Sequence, residues 1–304
     1  MIQNPVPWPN GARVACAITL DMDADSLLHI GRPKDSITRI SAMSMLRYGP
    51  DVAIPRILET YRRFGIKQTF FIPAWCIEQH PKAVEAIVKD GHEVGYHGYI
   101  HEAPNALPRE EEHYWMRRSL SIIEKATGKR PRGNRAPLYN YSIHTTELLV
   151  EEGFVYDASL MGDDIPYILR VPKGDIVELP SHWALDDWSP YVQSMDLDYM
   201  MQIMSPDRAM EIFMAEFEAQ WEARGLWIAV WHPFVSGRLA RWLRVEKMIE
   251  AMLKRGGVWF APLEEIAAHV KKVTAAGTYQ PRVDNLPYFA TSPMPDPWPS
   301  VTGT

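Results

Sequence analysis

Cysteine is almost missing: Cys16 and Cys76 are the two in 304 residues. Both sit beside apolar, strand-like runs, so they read as reduced core thiols and exclude a disulfide framework or a zinc knuckle. No run approaches the roughly 18 uninterrupted apolar residues of a membrane helix. The opening MIQNPVPWPNGARVACAITLD lacks the basic segment, apolar stretch and small-residue cleavage site of a signal peptide. A cytoplasmic protein without a membrane partner is therefore expected. Lysine and arginine nowhere form a block, and the formal charge is −6 with a pI near 5.9. That balance speaks against nucleic acid as a partner.

What is present is a large core. Hydrophobic residues make up 46% and charged residues 23% of the chain, as in a folded soluble protein. Strand-like and helix-like segments alternate. RVACAITLD (13–21) is nearly continuously apolar, which suits a buried parallel strand. KQTFFIP (67–73), HEVGYHG (92–98), RGNRAP (132–137), IVELPSHW (176–183), LWIAVWH (226–232) and VWFAP follow, separated by amphipathic stretches that stop at Gly91, Gly128, Gly153, Gly225 and Gly256. Ser205-Pro206-Asp207 is a helix start with proline in the first turn. This βαβα rhythm predicts an α/β fold with a parallel sheet, closed as a TIM-like barrel and spanning residues 8–272. Two connections, 22–50 and 156–175, are long enough to serve as lids over a site. The proline-rich remainder, 273–304, is expected to be a surface arm reaching a neighbouring subunit, or disordered, and to make no core helix or strand.

In such a barrel the reactive groups collect where strands end. Strand ends offer Asp21 and Asp23, His97 with His101 just beyond, Arg135-Ala136-Pro137, His182 followed by Asp186 and Asp187, and His232. Alternation turns Asp21 and Asp23 the same way, and two facing carboxylates need a cation or a proton. The plain alternative is an aspartate capping a loop. HGYIH lets two imidazoles reach one ion, or is merely a pair of surface histidines. Asp23, His97 and His101 together, with an open position, have the makeup of a catalytic metal site. Zn²⁺ is the expected ion; cobalt, nickel or iron also suit these ligands.

The ordered set LDMD, HGYIH, RAP, LDDW and AVWHP resembles the five motifs of the NodB-homology polysaccharide deacetylases. GHEVGYHGYIHE, YDASLMGDDIPY, ELPSHWALDDW and HPFVSGRLAR resemble an intracellular branch with cyclic imide hydrolases, a peptidoglycan-deacetylase-like protein and metal-independent allantoinases. The resemblance covers roughly residues 8–270 and implies a distorted (β/α)7 barrel that hydrolyses amide bonds with a divalent metal. Position by position it makes Asp21 the general base, Asp23, His97 and His101 the ligands, Arg135 the group orienting the base, and His232 the general acid. The allantoinases lack a full ligand set; this chain has one. Leu138 follows Pro137 where many members carry an aromatic residue. A homo-oligomer is expected on the same resemblance.

Substrate contacts are expected from Pro137, Tyr139, His182, Asp186, Asp187 and Trp188, with Trp183 and Trp231 as further stacking candidates. His29, His80, His113, His144 and His269 read as surface or cap residues. Three functions are open to such a site: hydrolysis of a small amide or cyclic imide, deacetylation of an N-acetyl sugar in peptidoglycan or chitin, and non-catalytic metal binding.

Overall fold

The computed structural model describes residues 2–294. Its strands are β1 (Val14–Asp21), β2 (Thr69–Ile72), β3 (Glu93–Tyr96), β4 (Gly133–Asn134), β5 (Tyr156–Asp157), β6 (Tyr167–Val171), β7 (Gly174–Glu178), β8 (Gln193–Ser194), β9 (Tyr199–Met200), β10 (Leu226–Trp231), β11 (Val258–Phe260) and β12 (Val283–Asn285). The longer helices are α1 (Ser26–Gly31), α2 (Ile40–Tyr48), α3 (Ile54–Phe64), α4 (Ala74–Gln79), α5 (Pro81–Lys89), α6 (Arg109–Thr127) and α7 (Thr145–Glu151). They continue with α8 (Trp188–Tyr191), α9 (Pro206–Ala223), α10 (Pro233–Ser236), α11 (Leu239–Arg255) and α12 (Leu263–Ala275).

The strands β10-β1-β2-β3-β4-β5-β7 lie side by side, all parallel. Beyond β7 the chain returns to β10 through a parallel bridge between Asp186 and Val230 and a 2.8 Å hydrogen bond from the Ser181 hydroxyl to the Ile228 carbonyl. That contact completes a distorted (β/α)7 barrel. β11 adds to the lower half of β1. β6 folds back antiparallel on β7.

Alternation along the strands divides the core in two. Cys16, Ile18, Leu20, Trp227, Ala229 and Trp231 pack outward against the helices. Ala15, Ala17, Phe71, Tyr156, Val177, Ile228 and Val230 form a second cluster facing the axis, joined by Trp8 and by Leu263, Ile266 and Val270 of α12. The period of two carries on along β1: Ala15 and Ala17 face inward, and so do Thr19 and Asp21. Close approach has its own requirement at Gly133, where a Cβ would lie 1.8 Å from Cζ of Tyr156. Helix ends follow their chemistry: the Ser205 hydroxyl caps α9 and Pro206 opens it, while Gly65 and Gly128 end α3 and α6 with positive φ. In α11, Trp242, Val245, Met248, Ile249 and Met252 form the buried stripe.

Three expectations change. Segment 22–50 is not a lid loop; it folds into α1, a 3-10 turn and α2, because Leu27, Leu28, Ala42 and Leu46 enter the main core. Segment 156–175 supplies β5 and β6, and Tyr167 and Leu169 are buried in the same core. The tail departs from a chain without strands: Val283–Asn285 pair in parallel with β6 at the sheet edge, and Tyr279 is buried with its hydroxyl on the Pro166 carbonyl. Residues 295–304, the end of that tail, lie outside the described residues.

Candidate active site

At the C-terminal end of β1, Asp21 points into the barrel mouth and Asp23 lies just past it, both buried. Asp21 accepts a 2.8 Å hydrogen bond from Nη1 of Arg135. The same Nη1 bonds the Thr19 hydroxyl at 2.7 Å, Nε bonds the Ala158 carbonyl at 3.1 Å, and the guanidinium lies 4.3 Å from the centre of the Phe71 ring. Arg135 is thus fixed on three sides and presents a permanent charge to Asp21. Despite its burial, that carboxylate holds the Arg135 pKa above its ordinary value.

His97 and His101 come from the loop after β3. Gly98 and His101 both have positive φ, 74° and 71°. Glu102 closes the turn by accepting the backbone N–H groups of Tyr99 and Ile100, each with an oxygen at 2.8 Å. Nε2 of His97 lies 3.3 Å from Oδ1 of Asp23, and Nε2 of His101 lies 3.5 Å from Oδ2. Neither Asp23 oxygen has a hydrogen-bond partner although both are buried. Burial alone would raise the Asp23 pKa, yet His101, His97 and His232 hold it well below the usual carboxylate range. Burial and the neighbouring imidazoles push His101 down to about 4, whereas Asp21 and Asp23 raise His97 against its own desolvation.

This donor set fits a divalent cation. The His97 Nδ1–H donates to the Arg135 carbonyl at 2.6 Å, which leaves the Nε2 lone pair aimed at an unpartnered carboxylate. Two lone pairs face each other until a positive charge stands between them. The ligand atoms of Asp23, His97 and His101 lie within 4.8 Å of one another, as one ion requires. Asp186, Asp187 and His232 also cluster within that distance, but their acceptors are already engaged. Asp187 takes the His232 ring N–H at 2.7 Å and the backbone N–H groups of His232 and Ser236 at 3.0 and 3.1 Å. Asp186 takes the Tyr139 hydroxyl at 2.7 Å and the Trp188 N–H at 2.8 Å. The second cluster is therefore a hydrogen-bonded support.

His232 turns its other nitrogen, Nε2, to within 3.4 Å of Asp23 Oδ2. Burial opposes its charge, but Asp187, Asp23 and Asp186 raise its pKa to about 10. Burial brings Asp186 up to about 6.

These groups line a cavity of about 210 Å³ with Leu27, Ala136, Leu138, Tyr139, Trp183, Asp186, Trp188 and Tyr199. The structure thus brings together Asp21, Asp23, His97, His101, Arg135, His232, Tyr139, Asp186 and Trp188. Pro137 and Asp187 stand behind the wall rather than in it. His182 does not reach the cavity; it pairs with Glu216 of α9 at 3.3 Å. Trp231 is no stacking platform: it points away from His232 and packs on Phe213 and Trp227. His80 is a cap residue, at the N-cap of α5, but a buried one, with Nε2 2.6 Å from Asp25. Leu27 and Tyr199 lie on segments with no motif at all, and nothing in their spacing marks them.

A sequence profile of the polysaccharide deacetylase family matches residues 41–156. The peptidoglycan deacetylase of Helicobacter pylori is 34% identical over 248 residues, covering 72% of this chain and 84% of that protein. The chain belongs to the polysaccharide deacetylase family. The deacetylases of this family are metal-dependent, and the chain is a deacetylase-family hydrolase of carbon–nitrogen bonds. A candidate polysaccharide deacetylase from Mycobacterium smegmatis, solved by crystallography, superposes with a TM-score of 0.88 at 36% identity over 96% of this chain and 99% of that one. The Puue allantoinase structure shares the fold, with a TM-score of 0.78 at 24% identity over 92% of this chain and 96% of that one. Among the described residues no helix is long and apolar enough to cross a membrane.

Proposed function

We propose that this deacetylase-family hydrolase uses a metal, zinc by its ligand chemistry, to open a small amide or cyclic imide. The observation that carries the reading is a small cavity of about 210 Å³ around the unpartnered Asp23 carboxylate, walled by Leu27, Tyr139, Trp183, Trp188 and Tyr199. Few sugar units fit such a space, whereas a five- or six-membered ring does.

Asp23, His97 and His101 would hold the cation. When bound it supplies Lewis acidity, making water easier to deprotonate and an amide carbonyl easier to attack. Asp21, oriented by its 2.8 Å bond from Arg135, takes the proton from the attacking water. His232, protonated and aligned by Asp187, gives a proton to the departing nitrogen, without which an amine or amide anion is too poor a leaving group. Tyr139 and Asp186 offer the hydrogen-bonding edge of the wall, and Trp183 and Trp188 its apolar faces.

Deacetylation of an N-acetyl sugar is the second reading, favoured by the Helicobacter pylori relative. Zinc-loaded protein given succinimide, dihydrouracil and chitooligosaccharides decides between them. Ring opening supports the first; acetate release from the oligosaccharides without ring opening overturns it. No turnover of any of these by metal-loaded protein would favour a non-catalytic metal module.

A further inference from the structure

Tyr199 is the one residue of the β8–β9 hairpin that lines the cavity. Its ring packs edge-on to Trp188 at 6.0 Å between centroids, and Trp188 packs edge-on to His232 at 5.3 Å. A row of three rings therefore runs from the general acid to the rim. A two-stranded hairpin has little stability of its own, and this one pairs only Gln193 with Met200 and Ser194 with Tyr199. Its outer side chains, Met195 and Met200, are exposed. Leu197 and Tyr199 pack against the main core, and two ion pairs tie the hairpin to a second segment: Arg32 with Asp198, and Arg39 with Asp196. Arg32 also donates to the carbonyls of Asp196 and Met195 at 3.1 and 3.2 Å. Arg32 and Arg39 belong to the connection between α1 and α2, and α1 carries Leu27, another residue of the cavity wall. Two segments far apart in sequence are thus clasped together across the mouth.

We propose that Tyr199, held by this arginine clasp, sets the largest group that the site admits. The proposal rests on the reading that substrate carbonyls bind beside Asp23. An aromatic ring at the rim turns an open groove end into a wall, and the clasp keeps it there. The Tyr199 hydroxyl makes no hydrogen bond among the described residues, so Tyr199→Phe separates the bulk of the ring from its polar group.

The test uses metal-chelating probes of increasing size, so that it does not depend on knowing the substrate. Zinc-loaded protein is titrated calorimetrically with acetohydroxamate, benzohydroxamate and 4-(naphthalen-1-yl)benzohydroxamate. The wild type is expected to bind the largest at least tenfold more weakly than the smallest. Tyr199→Ala is expected to erase most of that ratio while leaving acetohydroxamate affinity within twofold. Tyr199→Phe should match the wild type. The Arg32→Ala, Arg39→Ala double variant should shift the ratio the same way as Tyr199→Ala, and circular dichroism reports whether each variant is folded. An unchanged size ratio in folded Tyr199→Ala overturns the proposal, as does a wild type that binds all three alike. Absence of binding by the wild type overturns it together with the metal site beneath it. Size-limited hydroxamate binding without imide turnover leaves the gate standing and removes only the imide reading.

Discussion

Nε2 of His97 stands 3.3 Å from Oδ1 of Asp23 while the opposite ring nitrogen donates to the Arg135 carbonyl. The backbone of one strand end thereby chooses the tautomer with which a second strand end meets the carboxylate of a third. The consequence is a prepared cation site: His97→Ala removes a ligand and the donor to the Arg135 carbonyl, while the Arg135 guanidinium keeps its bonds to Asp21, Thr19 and Ala158. Zinc affinity, measured by competition with a chromogenic chelator, is expected to fall more than about 100-fold, beyond the cost of losing a supporting hydrogen bond. Chelation of the wild type should abolish turnover, and added zinc should restore it.

Asp21 plays a different part although it is two residues from Asp23. Its bond to Arg135 leaves it a base rather than a ligand. Asp21→Asn keeps size and shape but cannot accept a proton at that oxygen. Turnover is expected to drop about 10²–10⁴-fold, with zinc stoichiometry unchanged by elemental analysis. Loss of metal and activity together would instead make Asp21 a ligand.

His232 owes its elevated pKa of about 10 to Asp187 above all, against the opposing effect of burial. An acid donates only while protonated, so kcat/KM must decline as pH rises through the His232 pKa. Asp187→Asn removes the charge that stabilises the imidazolium and lowers that pKa. The alkaline limb of the pH–kcat/KM profile is then expected to move toward neutrality by about one unit or more. A cation beside Asp23 offsets part of that carboxylate's attraction in both proteins and leaves the direction of the shift intact.

Much of the site was legible because strand ends were. Alternation along β1 places Asp21 on the inward side with Ala15, Ala17 and Thr19, and the glycine of HGYIH marks the turn that brings His101 back beside His97. The same rule applied to LWIAVWH separates Trp231 from His232, since adjacent residues of a strand face opposite ways; naming Trp231 a stacking candidate overlooked this. Leu27 and Tyr199 were not legible. Leu27 is placed by burial in the core and Tyr199 by contacts between segments some 160 residues apart, and no local period records a pairing of that kind. The loop expectation for 22–50 failed for a related reason: short helices with few buried positions leave a weak pattern, so α1 and α2 read as loop.

Behind the site, Asp157 of β5 and Glu178 of β7 are fully buried side by side. Burial raises both pKa values; Asp157 raises that of Glu178 further, whereas the hydrogen bond from Glu178 favours an ionised Asp157. Asp157 accepts from Asn134 at 2.6 Å and from Ser159 at 2.8 and 3.0 Å, so it is the better-solvated anion, while Oε2 of Glu178 has no partner. The retained proton therefore belongs on Glu178. Its folded pKa lies well above the ordinary 4.5, so the folded state binds that proton more tightly than the unfolded chain. The stabilisation is fully present below the unfolded value and is lost as pH rises through the folded one. Glu178→Gln copies the protonated shape and has no proton to lose. Relative to this variant, the wild type is expected to lose thermal stability steadily as pH is raised above about 4.5. Parallel melting curves from pH 5 to 8 check this; a constant difference between the two proteins would mean that Glu178 is already ionised in the fold.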